Sequence, residues 1–214
     1  MSPTATNRLM SAPNLDTTLV SHLLDAIAAD ILPMTEKSVM LGNKIFGAAL
    51  LKKSDHSTYL AETNNEMESP LHHGEMHLLK RYFELPANKR MAPSELLFLT
   101  THEPCSLCLS AITWSGFDNF YYFFSHEDSR DKFDIPHDLK ILKEVFDVEP
   151  GQYCKSNAFW NSHGIQSWFK GNENTLSVET RSLINEKILR LKDSYAVLSS
   201  QYQSGKSENQ IPLN

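Results

Sequence analysis

Two short clusters hold residue types that can do chemistry together: His73-Gly74-Glu75 and Pro104-Cys105-Ser106-Leu107-Cys108. Each falls where the surrounding pattern starts a helix. Cys105 and Cys108 are three apart, so on a helix they share one face. At a helix N-terminus the dipole and free N–H groups stabilise thiolates, the form that binds zinc. His73 adds a neutral imidazole. Three protein ligands with one open position make a catalytic zinc site rather than a closed structural one. Zinc lowers the pKa of a bound water from about 15.7 towards roughly 7. The resulting hydroxide can attack an sp² ring carbon that bears an amino group. Glu75, beside a ligand without being one, is placed to carry a proton to a ring nitrogen and then to the leaving ammonia.

Neither cluster decides this alone. A single C-x-x-C also occurs in redox sites and in halves of structural zinc sites, but Pro104 precedes the cysteines and no second C-x-x-C exists. His73 and His77 are four apart, like the helical pair of zinc proteases, but Gly74 separates His73 from Glu75. His77 therefore reads as a first-turn polar residue and His72 as a loop residue. In order, H-x-E followed by P-C-x-x-C is the signature of zinc nucleobase deaminases. Glu103 reads equally as a structural loop residue or a catalytic one. Trp114 and the aromatics of 120–124 read as core, Phe159, Trp160 and Trp168 as core or interface packing, and Cys154 as a free thiol.

The elements that must position these groups follow from periodicity. Leu19, Leu23, Ile27 and Ile31 form a helical stripe that Pro33 should end. Strands are predicted over 46–51, 58–62, 95–101 and 117–124, and helices over 73–85, 105–114 and 137–146. Residues 151–174 fit no pattern. A long helix over 176–198 carries a narrow seam of Ile184, Ile188, Leu191, Tyr195 and Leu198. The expected organisation is a flexible lead-in (1–14), a catalytic domain (15–174), a C-terminal helix (175–203) and a disordered tail (204–214). Alternating strands and helices argue for an α/β domain with a largely parallel sheet.

Hydrophobic residues make up 41% and charged residues 21%, a globular balance. No uninterrupted apolar run approaches the roughly 20 residues of a membrane span. The N-terminus lacks the pattern of a signal peptide, so the cytoplasm is the expected compartment. The net charge of −6 argues against a protein that mainly grips phosphate backbones, and favours a small-molecule substrate.

With these residues in place, the sequence resembles the cytidine deaminase-like superfamily over roughly residues 40–135. Residues 46–50 (FGAAL) resemble the first core strand of the branch that holds guanine deaminases, tRNA adenosine deaminases and fungal cytosine deaminase. Residues 101–108 (THEPCSLC) resemble its second zinc motif, and 111–116 (AITWSG) resemble guanine deaminases. His73-Gly74-Glu75 is closer to fungal cytosine deaminase than to the commoner His-Ala-Glu. The resemblance implies an α/β fold, a three-layer α/β/α sandwich with a five-stranded mixed sheet. It implies zinc as cofactor and a homodimer or larger assembly. It also implies an Asn before the histidine motif that contacts the base, with Asn64 and Asn65 as candidates, and an acidic residue, Asp134, that reads the purine edge. The expected activity is hydrolytic deamination of a nucleobase or nucleoside, a guanine-type purine first. The alternatives are cytosine or another pyrimidine, a tRNA-editing deaminase, and a non-catalytic deaminase-like subunit.

Overall fold

The structure, a computed structural model, describes residues 14–149 and 152–213. The lead-in expected over 1–14 lies, except for residue 14, outside the described residues.

The Asp16 carboxylate accepts the Leu19 N–H at 2.8 Å and caps helix α1 (Thr17–Ala26). The expected stop at Pro33 does not occur. The helix widens into a π turn (Ile27–Ile31) and continues as α2 (Leu32–Met40), with Pro33 in its first turn. Proline lacks an N–H and crowds the carbonyl four residues back; a wider turn placed just before it relieves that crowding. By length and composition Thr17–Met40 is apolar enough to cross a membrane, a stretch that a search for unbroken apolar runs passes over. Leu19, Leu23, Ile27 and Ile31 are buried in the core.

Five strands form one sheet: β1 (Gly47–Lys52), β2 (Thr58–Thr63), β3 (Leu96–His102), β4 (Asn119–Phe124) and β5 (Asn161–Gly164), in the order β2-β1-β3-β4-β5. β1 runs antiparallel to both β2 and β3, whereas β3, β4 and β5 are parallel. The sheet is therefore mixed rather than largely parallel. The short turn after Lys52, in which the Asp55 carboxylate accepts the Ser57 N–H, can join only antiparallel neighbours.

Alternation along the strands separates two cores. Ala49, Leu51, Leu97, Leu99, Tyr121 and Phe123 face one side. Ala48, Leu50, Leu96, Phe98, Phe120 and Tyr122 face the other. The first side is covered by α1, the π turn and the long helix α8 (Val178–Gly205), whose predicted seam is buried. The second is covered by α3 (Gly74–Glu84) and α4 (Ser106–Trp114).

Two helices and a strand lie where the sequence showed no pattern. Helix α5 (His126–Phe133) is too polar to carry an apolar stripe and is set by a capping box of Ser125 and Asp128. After α6 (His137–Phe146), β5 and α7 (Ile165–Asn172) fill half of the unassigned stretch. The residues from 204 onward, expected to be disordered, continue α8 and then turn back. The Asn209 amide donates to the Gly42 carbonyl at 3.0 Å, and Ile211 is 7% exposed. One tertiary hydrogen bond and one buried side chain leave no periodic mark on a polar tail.

Helix α3 approaches β1 closely. A Cβ on Gly74 would lie 2.7 Å from the Gly47 Cα, and one on Gly47 would lie 2.4 Å from Ile31 Cγ2. This contact sets how deep the start of α3 sits over the sheet. Gly74→Ala must push α3 off β1 and should cost about 1–3 kcal/mol, read as a lower urea midpoint. An unchanged midpoint would show that the two backbones separate freely.

Candidate active site

Both chemical clusters sit at helix N-termini. His73 is the extended residue before α3 and Cys105 the extended residue before α4. β3 delivers the second cluster through Glu103 and Pro104, and β1 carries the first through the glycine contact. His73 Nδ1 lies 3.4 Å from Cys105 Sγ and 3.7 Å from Cys108 Sγ, and the two sulfurs are 3.6 Å apart. Sulfurs bound at about 2.3 Å to a tetrahedral ion stand about 3.8 Å apart, so the donor set fits zinc. Among the described residues these three form the group that could hold a metal ion.

The site is electrostatically coupled. Burial works against a charge on His73, but the hydrogen-bonded Cys105 sulfur outweighs it and raises the imidazole to about 9. The hydrogen bond from Cys108 pulls the Cys105 thiol well below its usual range, against burial and with help from His73. Burial, followed by the neighbouring Cys105, pushes Cys108 well up. Glu75 accepts a hydrogen bond from the Cys108 thiol at 3.3 Å. Burial, with the Cys105 charge adding, pushes its carboxyl up to about 7. A carboxyl poised there can both take and return a proton at neutral pH.

His73, Glu75, Cys105 and Cys108 thus come together as the sequence predicted. Asn64 lies close by, but its amide is committed: Oδ1 accepts the Gly74 N–H at 2.5 Å and Nδ2 donates to Glu66 Oε2 at 2.9 Å. The structure does not bring Asn65 or Asp134 to the cluster. Asn65 donates to the exposed Glu68 at 2.6 Å. Asp134 ends α5 in a left-handed conformation, with its exposed carboxylate 3.8 Å from Lys206. The carboxylate that reaches the site is Asp138, in the first turn of α6. It lines a small cavity of about 40 Å³ with Lys44, Phe46, His73, Ile135 and Ile141. Burial, followed by the Cys105 charge, pushes Asp138 up to about 7. Sequence reasoning missed it because one helical turn separates it from the aspartate in the resembling position. The roomier surface clefts, such as one lined by Phe169, Glu173 and Asn185, lie away from this chemistry.

The remaining candidates resolve structurally. His77 Nδ1 lies 3.0 Å from the Thr63 carbonyl and 3.3 Å from Glu62, and His72 stacks on it. Glu103 has both oxygens occupied, by Tyr153 Oη (2.5 Å), Lys155 Nζ (2.9 Å) and the His126 N–H (3.1 Å), and so ties the loop before β5 to the second cluster. Trp160 is core, and its indole donates to Thr113 Oγ1 at 2.8 Å. Trp114, expected in the core, is 91% exposed, because it closes α4 on the side turned away from the sheet. Cys154 is exposed and unpaired.

Known proteins match this arrangement. The zinc-binding region of cytidine and deoxycytidylate deaminases matches residues 26–124. No curated protein sequence matches the chain. Among solved structures, a point mutant in complex with 8-azaguanine is 15% identical over 89% of this chain and 95% of its own, with a TM-score of 0.52. A guanine deaminase from Nitrosomonas europaea is 16% identical over 92% of this chain and 87% of its own, with a TM-score of 0.46. A guanine deaminase from Bacillus subtilis is 20% identical over 63% of this chain and 80% of its own, with a TM-score of 0.47. Residues 26–124 thus match the zinc-binding region of cytidine and deoxycytidylate deaminases, and the chain shares the fold of the structure in complex with 8-azaguanine.

Proposed function

We propose that this protein is a zinc-dependent hydrolytic deaminase that releases ammonia from a small aminated heterocycle, a guanine-type purine first. The observation that carries the reading is Glu75. Its carboxyl is buried and lies 3.3 Å from Cys108 Sγ without belonging to the ligand set. Zinc, held by His73, Cys105 and Cys108, supplies a Lewis acid that makes water a nucleophile at neutral pH. Glu75 takes the proton that water gives up, returns it to a ring nitrogen and hands on the one that leaves with ammonia. Phe46, Ile135 and Ile141 offer apolar walls to a flat ring, and Asp138 offers a carboxyl to its N–H edge. The related structure in complex with 8-azaguanine supports a purine. The net charge of −6 and the narrow cavity favour a free base or nucleoside over a polynucleotide.

The protein acts, on this reading, as a homodimer through the outer face of α3 and α4. A cleft there is lined by Leu71, Met76, Leu79, Phe83 and Ala111, beside the exposed Trp114. Apolar surface gathered in this way marks an association face.

Glu75→Ala should keep its zinc and lose about 10²–10⁴-fold in ammonia release across a panel of aminated bases and nucleosides, whereas Cys105→Ala should lose the metal. Equal turnover by Glu75→Ala would contradict the mechanism. A zinc-loaded protein silent across the whole panel would move the assignment to a non-catalytic subunit. Asp138→Asn should lower kcat/KM through KM, and Asp134→Asn should change neither constant; the reverse pattern would restore Asp134 as the reader of the ring. Trp114→Glu should halve the mass seen by light scattering, and an unchanged mass would place any interface elsewhere.

A further inference from the structure

We infer that Glu66 is a positioning residue for the zinc ligand His73, with Lys44 as its buried ion-pair partner. The inference rests on the zinc reading of the site and not on the identity of the substrate.

Glu66 and Lys44 form a buried ion pair, Nζ to Oε1 2.8 Å, with side chains 1% and 6% exposed. The other carboxylate oxygen is also held, by the Lys44 backbone N–H at 3.2 Å and Asn64 Nδ2 at 2.9 Å. Both carboxylate oxygens are therefore fixed. Burying two charges is expensive, and an apolar pair of similar volume is often as stable, so fold stability alone does not account for the pair. Its position does. His73 turns Nδ1 to the two cysteine sulfurs, and its other nitrogen, Nε2, lies 4.0 Å from Glu66 Oε1.

An imidazole that gives Nδ1 to a metal keeps its proton on Nε2. An acceptor on that side fixes the ring plane and raises the basicity of the ligating nitrogen. The 4.0 Å separation is longer than a direct hydrogen bond, so Glu66 acts through its fixed charge, which draws the remaining ring N–H toward it. Asn64 extends the bracket, because its Oδ1 holds the Gly74 N–H. The Lys44–Glu66–Asn64 unit thus grips the His73 ring and the backbone that follows it. This also gives Asn64 a role that does not require it to touch a substrate.

The test is zinc affinity, measured by competition with a chromophoric chelator, beside the melting temperature of the zinc-free protein. The double variant Lys44→Met/Glu66→Met removes both charges and leaves neither unpaired. It should melt near the wild type and bind zinc about 10–100-fold more weakly. Glu66→Gln, which keeps the shape and an acceptor oxygen but not the charge, should fall between the two. The absorption bands of the cobalt-loaded double variant should shift as the ring loses its fixed orientation. A double variant that melts earlier but holds zinc with wild-type affinity and an unshifted cobalt spectrum would make the pair a fold element and overturn the inference. Should the double variant not fold, Glu66→Gln decides, and unchanged zinc affinity in it overturns the inference. A wild-type protein that takes up no zinc would overturn the zinc reading itself.

Discussion

The chemistry of this protein depends on bringing the first residues of two helices within hydrogen-bond distance of each other. Helix N-termini carry positive partial charge and unpaired N–H groups, so two that converge create a place where thiolates are stable. At the start of α4 the Cys105 thiol is pulled well below its usual range by the Cys108 side chain, by His73 and by the Cys108 backbone N–H. Convergence has a steric requirement. α3 must lie almost on the backbone of β1, and glycine at 74 leaves the room. Glycine at 47 leaves room in turn for Ile31, from the π turn. The irregular first helix and the ligand cluster are thus parts of one packing problem.

Three buried glutamates surround the cluster, and their environments separate their roles. Glu75 has a weak thiol donor, a backbone hydrogen bond and the His73 charge beside it, but burial and the Cys105 charge outweigh them and its carboxyl rises to about 7. Glu103 is buried as well, but His126, Tyr153 and Lys155 outweigh burial and hold it below the usual range, as an anchor for the loop. Glu66 has a lysine of its own. A residue type alone does not announce a catalytic acid. Burial sets Glu75 apart from Glu66 and Glu103, each of which has a lysine partner, and a carboxyl raised by burial is one that can exchange a proton near neutral pH.

Much of this was legible in the sequence because the signals were local. His73, Glu75, Cys105 and Cys108 are spaced by helix geometry, and spacing survives in one dimension. The strands β1 to β4 showed as apolar runs for the same reason. What was not legible depended on distance. Asp134 and Asp138 differ by one turn of chain, but the left-handed residue that ends α5 turns one outward while α6 carries the other in. Asn64 was placed near the site by resemblance, but its partners, Gly74 and Glu66, are known only from the fold. Trp114 sits at an apolar position of the sequence pattern but on the exposed side of α4. Helix α5 is held by caps rather than by an apolar face, so periodicity had nothing to detect.

These two kinds of information divide along the chain. The matched zinc-binding region, residues 26–124, contains the three residues that could hold a metal ion and Glu75 beside them, together with Lys44, Phe46 and Glu66. The walls that complete the cavity come from beyond it: Ile135, His137, Asp138 and Ile141 from α6 and the turn before it, and Leu213 from the returning tail. A conserved reaction needs the first set at fixed distances, because proton transfer and metal ligation tolerate little displacement. The second set has only to be shaped to a substrate, and can change without disturbing the reaction. The residues suited to a reaction thus lie in about the first three fifths of this chain, while helix α6 and the C-terminal return supply the rest of the cavity wall, and a function has to be argued from that site rather than from the fold.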